Sequence, residues 1–301
     1  MTGTILYGAP APGLVEVPAG ATQVSPLIPG SQDLAAMADA SVERAVVLAP
    51  GGVLERDHVL AHALRVLKPG APLLAFAPKD KGGGRLKKAL EAFGASVGED
   101  ARRHHRFSHT VRPQAPTGLA EAVAAGAPRL SPGLGAWTQP GVFSWDRVDP
   151  GSARLIQLLP ALSGRGADLG CGLGLLAQRA LASPAVTALI GIDIDRRAVE
   201  CARRNLDDPR VALAWADVRQ VPAGGDLDFV VMNPPFHDGG VEDRTLGVAF
   251  VTKAAAMLRR GGACWLVANR HLPYEQTLST AFGSFAVRDD AQGYKVIEAR
   301  R

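Results

Sequence analysis

Cysteine is scarce in this chain, with Cys171, Cys201 and Cys264 the only three among 301 residues. Odd in number and never at metal-ligand spacing, they exclude a disulfide framework and a thiolate zinc site; no metal ligand set is expected, and the thiols fit reduced side chains in a core. Long apolar runs are missing too. No uncharged stretch approaches the ~18 residues that a membrane span requires, and residues 1–10 have neither the basic start nor the apolar centre of an export signal, so a cytoplasmic protein without a membrane partner is expected. A hydrophobic fraction of 47% against 21% charged residues excludes disorder. The length suffices for two domains with separate cores. A net charge of +4 and a pI near 9.1 permit a polyanionic partner without requiring one.

The apolar pattern alternates strand and helix. In the first half, strands are expected at Ala45–Leu48 and Pro72–Ala77, and helices at Asp57–Leu67, opened by an acidic cap, and Arg85–Phe93, closed by Gly94. Residues 1–40 are Gly/Pro-rich with one helix expected near Gln32–Ala40. The basic run Arg102-Arg103-His104-His105-Arg106 leads into a strand, and Arg112–Gly141 reads as a Pro/Gly-rich linker. The second half is plainer. Helices are expected at Ser152–Leu159, Leu175–Leu181, Arg196–Leu206 and Gly247–Leu258, and strands at Gly166–Leu169, Ala188–Asp193, Val211–Ala216, Leu227–Met232 and Ala263–Ala268, before a closing hairpin of Phe285–Arg288 and Tyr294–Glu298. Such alternation implies a doubly wound, mostly parallel α/β sheet with ligands at the carboxyl ends of its strands.

The halves echo each other. Leu67-Lys68-Pro69-Gly70 followed by Leu73–Ala77 parallels Leu258-Arg259-Arg260-Gly261 followed by Cys264–Ala268, and Ala92-Phe93-Gly94 parallels Ala281-Phe282-Gly283. A duplicated domain is the simplest account, with residues 1–130 a non-catalytic copy and 131–301 the working one. The first half has Ala49-Pro50-Gly51-Gly52 where the second has Asn233-Pro234-Pro235-Phe236.

That tetrapeptide follows the buried strand Leu227–Met232. Proline fixes φ and lacks an amide hydrogen, so two in succession make a stiff corner rich in carbonyls. The Asn233 side-chain oxygen and the Pro234 carbonyl are acceptors suited to the two hydrogens of a substrate amine, and Phe236 offers a face for stacking. A strand-end turn with Asn as a local hydrogen-bonder is the plainer alternative.

Upstream, Asp168-Leu169-Gly170-Cys171-Gly172-Leu173-Gly174 joins a strand to a helix, and its glycines let a ligand approach the backbone. Asp193, with Asp195 as a near competitor, ends the next strand where ribose hydroxyls would donate, and Asp217 ends the third, where an adenine amine would donate. Acids around a nucleoside, with no phosphate-binding cation in the loop, favour S-adenosylmethionine. The segment Gly172-Leu173-Gly174-Leu175-Leu176-Ala177 also matches a dinucleotide fingerprint, but Asp168 would then set a negative charge beside the pyrophosphate.

Together with Gly141-Val142-Phe143-Ser144-Trp145-Asp146-Arg147, the extension His237-Asp238-Gly239 and Val267-Ala268-Asn269-Arg270-His271-Leu272-Pro273-Tyr274, these residues resemble class I S-adenosylmethionine-dependent methyltransferases, specifically the bacterial small-subunit ribosomal RNA (guanine-N2-)-methyltransferases. The resemblance covers residues 141–301 and matches the first half only in layout. It implies two tandem Rossmann-like domains, the N-terminal one degenerate and the C-terminal one a seven-stranded doubly wound sheet. It further implies methylation of a guanine N2 amine in 16S ribosomal RNA by a monomer, with Asn233, Pro234 and Phe236 catalytic. Asp168, Gly170, Gly172, Gly174, Asp193, Asp217 and Asn233 would hold the cofactor. Large-subunit RNA, another nucleic acid or a protein Gln as substrate, and a non-catalytic RNA-binding module, are the alternatives. In the first half, Lys79, Lys81, Lys87, Lys88, Arg102, Arg103, Arg106 and Arg112 are candidates for phosphate contact or, equally, a solvated face.

Overall fold

The fold is described from a computed structural model, which describes residues 3–235, 237–238, 241–242 and 244–301. The described residues form two compact units, one running to Pro128 and adding Gln139–Gly141, the other comprising Arg129–Thr138 and Val142–Arg301.

The first unit contains β1 (Thr4–Tyr7), β2 (Thr22–Gln23), β3 (Arg44–Leu48), α1 (Val53–Val66), β4 (Pro72–Pro78), α2 (Leu86–Ala92), β5 (Gly98–Arg102), β6 (His105–Val111) and α3 (Leu119–Ala125). Its sheet order is β2-β1-β3-β4-β6-β5. The first four strands are parallel, and β6 is antiparallel to both β4 and β5. Val59, Leu60, Ala63 and Leu64 of α1 pack with Ala45, Val47, Leu73 and Ala75 of the sheet into one buried cluster, the burial that stabilises an otherwise short sheet.

Several expectations are corrected here. Helix α1 begins at Val53, with Gly52 as its extended N-cap (φ −67°, ψ 138°), so Asp57 lies inside the helix and does not cap it. The helix near Gln32–Ala40 shrinks to the single 3-10 turn Leu34–Ala36 capped by Asp33. Residues 1–40 instead supply β1 and β2, whose few residues are held by neighbouring strands and leave little periodicity to read. The basic run is the turn of the β5–β6 hairpin, where Arg103 and His104 take φ of +47° and +60°. Arg112–Gly141 is no open linker: α3 lies on α1, its Val123 carbonyl 2.9 Å from His58 Nδ1. The Ala-rich run Leu119–Ala125 favours helix locally, and packing of the half-buried Leu119, Ala122 and Val123 against the first core overrides the flanking Pro and Gly.

The second unit contains β7 (Arg129–Ser131), β8 (Ala136–Thr138), α4 (Pro150–Leu158), β9 (Gly164–Leu169), α5 (Leu175–Leu181), β10 (Val186–Asp193), α6 (Arg196–Asn205), β11 (Val211–Trp215), β12 (Leu227–Met232), β13 (His237–Asp238), β14 (Val241–Glu242), α7 (Arg244–Met257), β15 (Leu258–Asn269), α8 (Glu275–Ala281), β16 (Ser284–Ala291) and β17 (Tyr294–Arg300). Seven strands form one sheet in the order β11-β10-β9-β12-β15-β17-β16. The first five are parallel; β17 is antiparallel to both β15 and β16. Both faces are covered, as parallel strands require. Along β12, Val230 and Met232 pack with Phe250, Val251 and Ala254 of α7, while Phe229 and Val231 pack with Leu155 of α4 and Leu176 and Ala180 of α5. Helix α8, which the sequence reading did not include, adds Leu278 to the first of these layers.

Without β11, the second sheet reads β10-β9-β12-β15-β17-β16, the same succession as β2-β1-β3-β4-β6-β5 in the first unit. The fold is therefore two tandem Rossmann-like domains; among the described residues the first lacks an outer strand and the helix between its first two strands, and has only the 3-10 turn Leu34–Ala36 where the second has α6. Among the described residues no helix is long and apolar enough to cross a membrane.

Candidate active site

The centre of the second sheet determines where a ligand can sit. Leu169 at the end of β9 is paired with Ile192 of β10 on one side and Met232 of β12 on the other. The chain leaves these three strands through Gly170, Asp193 and Asn233 along one edge, at the point where strand order reverses, and open α/β sheets bind ligands there.

The loop after β9 turns on three left-handed glycines: Gly170 (φ +71°), Gly172 (φ +52°) and Gly174 (φ +83°). Gly174 caps α5, and a Cβ there would sit 2.8 Å from Leu206 Cδ1, whereas a Cβ on Gly172 would meet nothing within 4 Å. The middle of the loop thus presents bare backbone to open space, and its far end is clamped. Gly172 N–H donates to Asp193 Oδ2 at 2.8 Å, and Asp195 N–H donates to Asp193 Oδ1 at 2.8 Å. Asp193 ties the glycine loop to its strand end, and each oxygen keeps a lone pair for a further donor.

Asp168 is wholly buried under the loop, where Oδ2 accepts from Ala177 N–H at 2.9 Å and Oδ1 has no partner among the described residues. Its position is beneath the binding edge, bracing the start of α5. Burial raises its carboxyl to about 7, the Ala177 bond opposing and the Asp193 charge adding to the rise. Burial likewise raises Asp193 to about 6 against its backbone hydrogen bonds. Two carboxyls that resist ionisation side by side suit a ligand that brings hydroxyl donors or positive charge.

Asp217 lies two residues past β11 and grips Arg219 with both oxygens, Oδ1 to Nε at 2.9 Å and Oδ2 to Nη2 at 2.7 Å; the hydrogen bonds from Arg219 hold its carboxyl below the usual range. Asp195 caps α6 and pairs with Arg197 at 2.8 Å, which makes it an architectural residue. Ile194 exposes an apolar side chain beside Asp193, and its carbonyl accepts from Trp215 Nε1 at 2.9 Å. Neither Ile194 nor Trp215 stood out in the sequence.

Asn233 has the most telling surroundings. Its Nδ2 donates to Asp149 Oδ2 at 2.9 Å and to Ser152 Oγ at 2.8 Å. Both amide hydrogens are committed, so the side chain has only Oδ1 to offer a ligand. Asp149 also caps α4, accepting from Ser152 N–H at 2.7 Å, with Pro150 at the first helical position. An ordinary helix start therefore doubles as the clamp on Asn233. The Asp149-Pro150 cap was readable as a cap; its reach across 84 residues was not. Pro234 is buried and adds a peptide with no donor of its own. Phe236 lies outside the described residues, as does Gly239.

The chain matches the family described as methyltransferase small domain over residues 133–298. It is 35% identical over 157 residues to the ribosomal RNA small subunit methyltransferase C of Shewanella sp. (strain MR-4), covering 52% of this chain and 46% of that protein. It is 36% identical over the same length to the protein of that name from Shewanella halifaxensis. The chain spans about half the length of the curated relatives it matches. Among solved structures it resembles the T. thermophilus 16S rRNA N2 G1207 methyltransferase (RsmC) in complex with AdoMet and guanosine, with a TM-score of 0.74 and 28% identity, over 88% of this chain and 74% of that one.

Proposed function

The chain belongs to the methyltransferase small domain family, and on that premise we propose that it transfers a methyl group from S-adenosylmethionine to the N2 amine of a guanine in small-subunit ribosomal RNA. The observation that carries this reading is the commitment of both Asn233 amide hydrogens to Asp149 and Ser152, which leaves an oriented acceptor at the strand end. The Shewanella relatives, which are small-subunit ribosomal RNA methyltransferases, support the same substrate class, and the T. thermophilus enzyme, bound to AdoMet and guanosine, supports the cofactor and the base.

The residues fit the cofactor. The open Gly172 backbone and a carboxylate set without a loop cation favour a nucleoside carrying positive charge and no phosphate. Gly170, Gly172, Gly174 and Asp193 would hold its amino-acid and ribose parts, with Asp217 near the base and Asp168 supporting from below. When bound, the cofactor supplies an electrophilic methyl group on a sulfonium.

The remaining work falls to the corner. A guanine N2 lone pair is delocalised into its ring, so the amine is a poor nucleophile while planar. Asn233 Oδ1 and the Pro234 carbonyl accept its two hydrogens, draw them out of the ring plane and aim the lone pair at the methyl group, which is catalysis by positioning and electrostatics. No side-chain base is required, since the methylated nitrogen is cationic and sheds its proton readily. Phe236 stacks on the base, which must leave any duplex to reach the corner. Residues 131–301 carry the chemistry; residues 1–130 position the RNA through the basic β5–β6 hairpin, in a cytoplasmic monomer. The test is mass mapping of ribosomal RNA from a strain lacking the protein. Loss of one N2-methylguanosine from small-subunit RNA is expected; loss from large-subunit RNA, or of a methyladenosine, overturns the assignment.

A further inference from the structure

The first unit lacks an amine-gripping corner, yet the equivalent edge of its sheet is not featureless. A cleft of about 630 Å³ opens at the carboxyl ends of β3 and β4, lined by Gly51, Lys79, Asp80, Lys81, Gly82, Gly84 and Arg85. Three of the lining residues are basic and one is acidic. Neither Lys79 nor Arg85 has an ion-pair partner among the described residues, and both side chains lie in exposed residues. The floor is backbone. Gly82 takes φ +92°, which favours glycine, and a Cβ on it would lie 3.3 Å from the Gly51 carbonyl oxygen, so the two glycine turns are in close contact. The amino end of α1, a helix of 14 residues capped by Gly52 without a side-chain bond, opens on the same turn.

Behind that floor stands Arg56. Its side chain is 4% exposed, its Nε bonds the neighbouring Asp57 at 3.2 Å, and its buried Nη1 has no hydrogen-bond partner among the described residues. Nη1 lies 3.4 Å from the position a Gly82 Cβ would take, next to a glycine that lines the cleft. A buried guanidinium with an unmet N–H is costly on its own; an anion seated over Gly82 offsets that cost across a thin layer of backbone. Glycine turns, a helix amino end and converging cations are the arrangement that accepts a tetrahedral oxyanion.

We propose that this cleft is a phosphate-binding site and that it holds one backbone phosphate of the RNA substrate. The phosphate chemistry rests on the cleft alone, and its RNA source rests on the function proposed above. Gly84 provides the test, because a Cβ there would meet nothing within 4 Å and its φ is not left-handed. Gly84→Asp places a negative charge in the cleft without disturbing the turn, and Gly84→Ala is the uncharged control. Binding of a fluorescein-labelled single-stranded oligoribonucleotide to the full chain is measured across a salt series. Gly84→Asp should weaken binding about tenfold and reduce the slope of log K against log salt by about 0.7, the contribution of one single-strand phosphate, while Gly84→Ala leaves both unchanged. Calorimetry with guanosine monophosphate and inorganic phosphate separates the sources: binding to wild type that Gly84→Asp abolishes, with an unchanged RNA slope, assigns the same site to a free nucleotide. An unchanged RNA slope with no binding of either small anion overturns the proposal. Wild type that shows the salt signature but transfers no methyl group retains the site and removes the activity reading.

Discussion

Asn233→Asp is the substitution on which the clamp geometry makes its sharpest demand. The change keeps the size of the side chain and an acceptor facing outward, but replaces the donor beside Asp149 Oδ2, 2.9 Å away, with a second carboxylate oxygen. Two unit charges at that distance repel by about 6 kcal/mol at an effective dielectric of ~20, equivalent to about 4 pKa units. The pair will not tolerate both charges and will take up one proton, titrating as a unit with an upper apparent value near or above neutrality. The bound proton restores a donor between the two side chains, and the outer oxygen again faces the substrate amine. The rate of Asn233→Asp relative to wild type should therefore rise as pH falls from about 9 to 6, whereas Asn233→Ala should stay down by at least ~100-fold at every pH, the scale of one lost transition-state contact. Adding Asp149→Asn to Asn233→Asp reverses the pair and should lift the rate at high pH, because the donor now comes from position 149. The assay is single-turnover methyl transfer to small ribosomal subunits, with a thermal midpoint taken at each pH. A ratio for Asn233→Asp that is flat with pH, and no gain in the double variant, would refute the argument that Asp149 and Ser152 set the orientation of Asn233.

Four further outcomes are expected. Asp193 holds its proton to about 6 in the folded state against a reference of 3.8, so folded protein without cofactor binds more protons than unfolded chain between those values, and its contribution to stability falls as pH rises through that window; urea midpoints should drop accordingly and Asp193→Asn should flatten the trend. A ligand that needs the ionised carboxylate binds less tightly as pH falls through about 6, which calorimetry of S-adenosylmethionine measures, and a pH-independent Kd removes Asp193 from the site. Gly174→Ala forces a Cβ into φ +83° at 2.8 Å from Leu206, and should cost about 1 to 3 kcal/mol by urea denaturation; an unchanged midpoint contradicts the clamp on the loop. Arg102, Arg103 and Arg106 changed together to Glu should weaken RNA binding and flatten its salt dependence while leaving cofactor binding alone, and an untouched slope makes the β5–β6 turn a solvated surface.

What the sequence determined by itself is local chemistry repeated at a legible period. Strand and helix alternate in the second half with apolar runs long enough to read, so Leu175–Leu181 and Leu227–Met232 fall where the pattern puts them. Glycines between a strand and a helix, acids at successive strand ends and a double-proline corner are consequences of backbone conformation, which a residue carries wherever it stands. Tertiary structure decided the rest, because it depends on what packs against what. Ala-rich α3 holds as a helix through its contact with α1. Asp168, Asp195 and Asp217 look alike in sequence, yet one is sealed under the loop, one caps a helix and one is gripped by Arg219. The direction of the Asn233 amide belongs to Asp149 and Ser152, more than 80 residues earlier, and only the assembled sheet with its packed helices brings that helix cap to that strand end. A side chain's identity limits which bonds it can make; burial and neighbours in space choose among them.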